Sequence, residues 1–187
     1  MRIVKNELDY LKDYIPHLIF FTVIIIAVYI NSLNNQFVSD DIFGIVNNKE
    51  IGSFSTVLAN YLRPVGVFIH YIISNLFGLN PMAFRFVNYI VHILTTCAVF
   101  FLIRKFFNDK VAFFSTTLFA IHPVISETVV WISAQGYSIN ALFFLSSFLF
   151  YIYSGKSKIY YFLSLLLFFL TVQIQLPALV LVFLFPL

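Results

Sequence analysis

The sequence predicts an all-α membrane protein, a polytopic bundle of transmembrane helices. Hydrophobic residues make up 61% of the 187 residues and charged residues only 10%, whereas a soluble domain is about 45–50% apolar and about 25% charged. The 25 Phe and 11 Tyr exceed what a soluble core of this size can bury. The composition therefore excludes a disordered chain and an ordinary cytosolic enzyme. The single cysteine, Cys97, excludes an intrachain disulfide scaffold.

Five apolar runs are candidates for membrane spans, and a sixth begins near the end of the chain. A crossing takes about 20 predominantly apolar residues at roughly 1.5 Å per residue. The predicted spans are residues 16–33, 81–103, 111–123, 137–153 and 159–174. Residues 177–187 begin a further apolar run that is too short to cross. We therefore expect about five spans plus a partial sixth, with residues 1–187 forming the N-terminal part of a longer membrane domain.

The basic residues indicate whether the short apolar run 64–79 also crosses. Cytoplasmic loops collect Lys and Arg, and 8 of the 11 basic residues lie at the N-terminus, in the turn after residue 103 and in the turn at 156–158. All three places fall on the cytoplasmic side only if run 64–79 stays in the interface. We therefore expect residues 34–80 to form an outer loop with two interfacial helices, 51–62 and 64–79. Pro64 suits the start of the second helix.

Two adjacent carboxylates, Asp40 and Asp41, follow the first span by about seven residues. Like charges held side by side among aromatic residues at a membrane surface are costly. Such a pair favours a general base, or a ligand for a metal or a sugar hydroxyl. A loop turn with an Asp helix cap accounts for the same residues without any chemistry. The pair alone does not separate these two interpretations.

Glu127 is the only charged residue between Lys110 and Lys156. An isolated carboxylate near the membrane is by default a candidate functional residue, and a solvated loop residue is the alternative. His122 lies before Pro123 and belongs either to the same site or to the backbone turn at the proline, which lacks an N–H donor. No second histidine lies near His122 in the sequence, so His122 does not by itself predict a metal site.

Arg63 and Arg85 are the arginines of the predicted outer face, and each flanks a helical run. A guanidinium group binds phosphate through two parallel hydrogen bonds, but it also extends from helices to lipid headgroups. Both interpretations stay open. His70 and His92 lie on apolar faces, where we expect packing roles. Outer carboxylates and arginines around an apolar bundle suit an anionic headgroup on a polyprenyl tail.

Four stretches of this sequence carry a family resemblance. They are Asp40-Asp41; Tyr61-Leu62-Arg63-Pro64; Phe84-Arg85-Phe86-Val87-Asn88 with His92; and His122-Pro123 followed by Glu127 and Trp131-Ile132-Ser133. Together they resemble the GT-C membrane glycosyltransferases, in the protein O-mannosyltransferase-like branch that includes the transmembrane and tetratricopeptide-repeat mannosyltransferases. The matched stretches span roughly residues 30–140, and the stretch that begins at His122 is the most specific.

The resemblance implies transfer of a mannose-like hexose from a polyprenyl-phosphate donor to a hydroxyl of a protein or glycan acceptor, with inversion, at the outer membrane face. Asp41, preferred over Asp40 by a small margin, would be the catalytic base, and Glu127 would be the acidic residue of the next outer loop. The groups expected at the donor phosphate are Arg63, Arg85 and His122. No cofactor is required, and a divalent metal that bridges Asp41 and Glu127 is an open alternative.

Two departures from the family pattern support a rival interpretation. Ser133-Ala134-Gln135 stands where related sequences usually have Ser-Gly-Arg, and Gln173 and Gln175 stand where a basic residue is expected. The rival is a non-catalytic membrane scaffold or a transporter subunit. A transporter usually has ionisable residues near the bilayer midplane, whereas here they lie at the ends of the spans.

Partners and location follow from the same features. The net charge is +3 and the basic residues form no run of five, so no nucleic-acid partner is predicted. Membrane lipid, a sugar donor and an acceptor are the expected partners. The protein is expected to be a multi-pass integral membrane protein, in the plasma membrane of a bacterium or archaeon or, in a eukaryote, in the endoplasmic reticulum.

Overall fold

The computed structural model describes residues 12–59, 64–174 and 179, and these residues form helices and turns without any strand. The all-α prediction is therefore confirmed for the described part of the chain. The α-helices are, in chain order, α1 (Ile15–Tyr29), α2 (Phe54–Ala59), α3 (Pro64–Phe77), α4 (Pro81–Phe106), α5 (Asp109–Ile121), α6 (Ser126–Val130), α7 (Gln135–Ile152) and α8 (Lys158–Ile174). The shorter turns are Ile30–Ser32, Pro123–Ile125, Ile132–Ala134 and Ser154–Lys156, which are 3-10, and Ile42–Val46, which is π-helical.

Asparagine caps start the helices α4 and α5. The Asn80 side chain accepts a hydrogen bond from the amide of Met82, and the Asn108 side chain accepts one from the amide of Val111, both at 3.0 Å. Asn is a preferred cap because its side chain satisfies an amide that the first turn of a helix leaves free. Pro81 follows Asn80 at the first helical position of α4, where a missing amide hydrogen costs nothing.

Within the residues that the structure describes, two helical segments are long and apolar enough to cross a membrane. They are α1 with its following turn, Ile15–Ser32 (18 residues), and α4, Pro81–Phe106 (26 residues). A third span results if α5 and the segment Pro123–Val130 cross together, although their axes bend by 47° at the break. The 13 residues of α5 alone extend about 20 Å, which is less than the roughly 30 Å of a hydrocarbon core. The fold is that of an integral membrane protein.

The predicted five spans and partial sixth are not confirmed. Helix α7 has 18 residues, but Gln135 and Asn140 lie in its first two turns. Helix α8 is apolar but has 17 residues. The partial sixth span, residues 177–187, lies outside the described residues except for Leu179. The count of five plus a partial sixth therefore stays a prediction.

Helix α4 is the centre of the bundle. It packs against α1, α5 and α7, and α7 packs in turn against α8. One buried apolar cluster joins α1, α4, α5 and α6 through Ile25, Tyr89, Ala120 and Val129. The Tyr89 hydroxyl donates to the carbonyl of Tyr29 at the end of α1. The position of α4 therefore fixes where the outer loops begin and end.

Polar side chains inside the bundle bond to neighbouring helices. The Ser147 hydroxyl of α7 donates to the carbonyl of Ser164 in α8 at 2.7 Å. His92 in α4 bonds the carbonyl of Ala120 in α5 through Nε2 at 2.9 Å, which agrees with its expected packing role. Lipid offers no hydrogen-bond partner, so such groups are satisfied within the protein and hold helices together.

The segment predicted to be the first outer loop contains two helices within the predicted ranges 51–62 and 64–79. The structure gives them as α2 and α3, which pack on one another, and residues 60–63 between them lie outside the described part. The Asn75 side chain of α3 donates to the carbonyl of Gly52 at 3.1 Å. Phe54 and Leu58 of α2 are exposed, which suits an apolar face turned toward lipid. Their interfacial position stays a prediction.

Cysteine labelling tests the orientation. Ser55 in α2 and Ser157 in the basic turn before α8 are both exposed, and Cys97 is first replaced by Ser. With α3 in the interface and α4, α5 and α7 crossing, Ser55→Cys and Ser157→Cys should react with a membrane-impermeant maleimide from opposite sides. Labelling of both from one side would contradict this topology.

Candidate functional site

Polar side chains from three parts of the chain meet where the outer loops approach the start of α4. We call this set the outer junction, and it consists of Asp41, Arg85, Asn88, Ser133 and Gln135. All except Ser133, which is half-buried, are buried. Buried polar groups are stable only when they are hydrogen-bonded, so the bonds among these residues define the shape of the site.

The Asp41 carboxylate joins the first outer loop to the second. Its Oδ1 accepts hydrogen bonds from the amide of Ser133 at 2.8 Å and from the hydroxyl of Ser133 at 2.5 Å. Its Oδ2 accepts from the amide of Val38 at 3.1 Å, which closes a tight turn. Asp41 is 0% exposed. Three donors therefore replace the water that this buried charge has lost.

Asp40, the neighbour of Asp41, points the other way and is exposed. Ser39 precedes the pair with a φ of 50°, in the left-handed region that residues other than glycine seldom adopt. The Ser39 hydroxyl lies 3.4 Å from Oδ1 of Asp40 and donates to it. The turn thus buries one carboxylate and presents the next at the surface.

Arg85 holds three backbone carbonyls from both outer loops. Its Nε donates to the carbonyl of Val130 at 3.2 Å, its Nη2 donates to that of Gln36 at 2.6 Å, and its Nη1 donates to that of Asn35. Arg85 is only 1% exposed although it lies in the first turns of α4. The guanidinium group therefore fixes residues 35–36 next to residue 130.

A buried amide pair underlies the junction. The Gln135 side chain donates from Nε2 to Oδ1 of Asn88 at 2.6 Å, and Nδ2 of Asn88 lies 3.4 Å from the carbonyl of Trp131, to which it donates. Gln135 stands where the resemblance leads us to expect an Arg. A neutral amide at this position satisfies Asn88 without bringing a second buried cation next to Arg85.

His70 of α3 lies close to the junction and contacts the ring of Phe84. Burial lowers the pKa of His70 below its ordinary value of 6.5. The negative charge of Asp41 and the side chain of Gln135 oppose this shift only in part. His70 is therefore neutral at pH 7.

Glu127 and His122 lie in the second outer loop but outside the junction. Both are exposed. The Nδ1 atom of His122 accepts a hydrogen bond from the amide of Val124 at 3.2 Å and caps the turn after Pro123, as expected for a backbone role at the proline. Glu127 lies in the first turn of α6. Arg63 lies outside the described residues.

The structure thus brings together only some of the predicted site residues. Asp41 and Arg85 meet at the junction, and Asp40 lies beside it at the surface. The anchoring contact of Ser133 and the buried pair Asn88–Gln135 were not predicted from the sequence. Two features could have indicated them: a polar residue at the apolar start of a span, and the departure from the family pattern at residues 133–135.

Residues suited to hold a cofactor or metal are few in the described ranges 12–59, 64–174 and 179. No group of three or more His, Cys, Asp or Glu side chains converges there. The buried polar atoms of the junction bond to one another and to backbone groups. Chemically, the site presents one exposed carboxylate, that of Asp40, beside the buried, hydrogen-bonded junction.

Fold and site define a class: an integral membrane protein with an exposed carboxylate above a buried polar junction of its outer loops. The family described as dolichyl-phosphate-mannose-protein mannosyltransferase matches residues 63–186. This is more than half of the chain, and the chain belongs to that family. The matched range contains Arg85, His122 and Glu127 and begins after Asp40 and Asp41.

Curated relatives agree with this assignment. Human protein O-mannosyl-transferase TMTC1 is 32% identical over 143 residues, which cover 66% of this chain and 16% of that protein. Human protein O-mannosyl-transferase TMTC3 is 27% identical over 148 residues, which cover 68% of this chain and 16% of that protein. A Caenorhabditis elegans relative, protein O-mannosyl-transferase F38B6.6, is 28% identical over 143 residues, which cover 64% of this chain and 20% of that protein. The chain thus spans about a sixth to a fifth of the length of these relatives. No solved structure matches the chain.

Burial lowers the pKa of His70 in the folded protein. Protonation of His70 therefore favours the unfolded chain over the folded one. The unfolded chain binds this proton below about pH 6.5, so stability is full above that pH and falls as the pH drops toward the folded pKa. The melting temperature in detergent should therefore fall between pH 7 and pH 5, and His70→Asn should flatten that fall. Equal slopes for wild type and His70→Asn would contradict the burial of His70.

Arg85→Lys tests the three-carbonyl contact. An ammonium group cannot reach three separate carbonyls as the planar guanidinium does, and each unsatisfied buried group costs about 1–3 kcal/mol. The melting temperature should fall by several degrees, at about 2–4 °C per kcal/mol for a chain of this size. The matched control is Arg104→Lys, whose partner Asp109 is exposed, with an expected cost of about 1 kcal/mol or less. Equal losses in the two variants would contradict the role given to Arg85.

Proposed function

We propose that this chain supplies part of the reaction centre of a glycosyltransferase, which moves a mannose-like hexose from a polyprenyl-phosphate donor to a hydroxyl of a protein or glycan acceptor at the outer membrane face. Membership of the family and the names of the relatives support mannose transfer. The observation that carries the proposal is the exposed Asp40 beside the buried, hydrogen-bonded Asp41 at the junction of the outer loops.

The proposed reaction is a single displacement with inversion. The acceptor oxygen attacks the anomeric carbon while a carboxylate takes its proton, and the bond between that carbon and the phosphate oxygen breaks. The polyprenyl phosphate leaves with the bonding electron pair and needs no acid, because phosphate is a good leaving group. Only one carboxylate acts as a base, unlike the pair in glycosidases.

Exposure favours Asp40 over Asp41 as the group that contacts the acceptor. The sequence alone favoured Asp41 by a small margin, and both assignments stay predictions. Asp41 already accepts three hydrogen bonds and has no exposed surface. A base must lie within hydrogen-bond reach of the proton that it removes. The exposed Asp40 is accessible to an acceptor without any movement of the loops, and Asp41 suits the role of its anchor.

Positive charge is needed where the phosphate leaves. Arg85 donates to three carbonyls and is 1% exposed, so we assign it a long-range electrostatic contribution. Arg63 is the arginine for which we propose direct phosphate contact. His122, which is exposed in the second outer loop, is proposed as a further group at the phosphate. Glu127 is proposed to orient the acceptor. The chemistry is written without a cofactor, and a divalent ion between Asp41 and Glu127 stays the alternative.

A non-catalytic scaffold is the second candidate, favoured by one observation. Gln135 stands in place of the family's Arg and bonds Asn88 in the buried junction, which leaves one cation fewer near the leaving group.

The outer face would be extracytoplasmic in a bacterium or archaeon and lumenal in the endoplasmic reticulum. The relatives named above come from animals, which supports the reticulum.

The decisive assay measures hexose transfer from labelled polyprenyl-phosphate mannose in membranes that carry the complete open reading frame. Asp40→Asn should lower the rate by about 10²–10⁴-fold, the usual effect of losing a general base. Asp41→Asn and Glu127→Gln test the other two carboxylates. The matched control is Asp109→Asn, which should transfer at the wild-type rate. This carboxylate begins α5 and pairs with Arg104, far along α4 from the junction.

Two outcomes would overturn the proposal. Wild-type rates in all three outer variants, at normal protein level, would refute the site. No transfer by the wild type from polyprenyl-phosphate mannose or glucose would favour the scaffold. Loss in Asp41→Asn alone would assign the base to Asp41, as the sequence first suggested.

A further inference from the structure

One side chain ties the first outer loop to the second through the carboxylate next to the proposed base. The amide and the hydroxyl of Ser133 both donate to Oδ1 of Asp41, although 92 residues separate them in the sequence. The hydroxyl contact, at 2.5 Å, is the shorter of the two. Hydrogen bonds to an ionised carboxylate are roughly twice as strong as neutral ones.

The backbone passes this constraint to Asp40. Asp40 and Asp41 are consecutive residues in helical geometry, so their side chains diverge by about 100°. Asp41 points into the junction and Asp40 points to the surface. The amide of Val38 closes the turn on the other oxygen of Asp41. A change in the backbone at Asp40, which sets the direction of its Cα–Cβ bond, therefore requires Asp41 to leave Ser133.

We propose that Ser133 is a positioning residue for the transfer reaction, which sets the direction of Asp40 by holding Asp41. The inference rests on the proposed function and goes beyond it, because Ser133 touches neither donor nor acceptor in this role. Arg85 supports the same geometry from the other side, since it fixes residues 35–36 next to residue 130.

Ser133→Ala removes the hydroxyl and keeps the amide. In membranes that carry the complete open reading frame, kcat should fall about 10–100-fold, because a displacement of about 1 Å at a reacting group has effects of up to that order. KM for polyprenyl-phosphate mannose should stay within about twofold, since the donor contacts are intact. Ser133→Thr keeps the hydroxyl and should restore most of kcat.

The matched control lies in the same loop. The Ser126 hydroxyl donates to the carbonyl of Pro123 at 2.6 Å and belongs to no part of the junction. Ser126→Ala should therefore keep the wild-type kcat. A purely structural role for Ser133 would instead reduce protein level and melting temperature, with kcat per folded molecule unchanged.

The outcomes separate this inference from the proposed function. No transfer by the wild type overturns both. Transfer by the wild type, its loss in Asp40→Asn and a normal kcat in Ser133→Ala overturn the positioning role alone. A double-mutant cycle tests the contact between Asp41 and Ser133 without an activity assay. The melting temperatures of Asp41→Asn, Ser133→Ala and the double variant are compared. Non-additive losses of melting temperature support the contact, and additive losses contradict it.

Discussion

A buried guanidinium group at the start of α4 is the constraint on which the arrangement of the surrounding loops depends. Arg85 enters α4 one turn after its cap and is almost fully buried. A charge in such a place is tolerated only when its donors are satisfied. The carbonyls that satisfy it belong to residues 35–36 and to Val130, so the first and second outer loops must converge on the start of α4.

The positions of the two carboxylates of the site, Asp40 and Asp41, follow from that convergence. It brings Ser133 to Asp41, and the strained turn at Ser39 then presents Asp40 at the surface. The bundle below is held by contacts of the same kind, such as His92 with the carbonyl of Ala120. In lipid, where water satisfies nothing, hydrogen bonds between segments decide which helices and loops stay together.

Composition and periodicity predict much of the fold, and less of the site. Long apolar runs predict α1 and α4 well, because a span of about 20 apolar residues has few alternative structures. The same rule is less decisive after residue 109, where α5 and Pro123–Val130 bend by 47° at a break and α7 begins with polar residues; the count of spans there stays a prediction. Asp40 and Asp41 stand out as a pair, but which one is buried depends on Ser133, 92 residues from Asp41. Sequence spacing carries no information on such a contact.

The most direct measurement is an experimental structure of the complete protein with a non-hydrolysable polyprenyl-phosphate mannose analogue. We expect the Asp40 carboxylate to face the acceptor side of the anomeric carbon, with Asp41 still bonded to Ser133 and Arg85 still on the loop carbonyls. A donor bound away from the outer junction, or Asp41 released from Ser133 and turned toward the sugar, would contradict the division of roles between the two carboxylates.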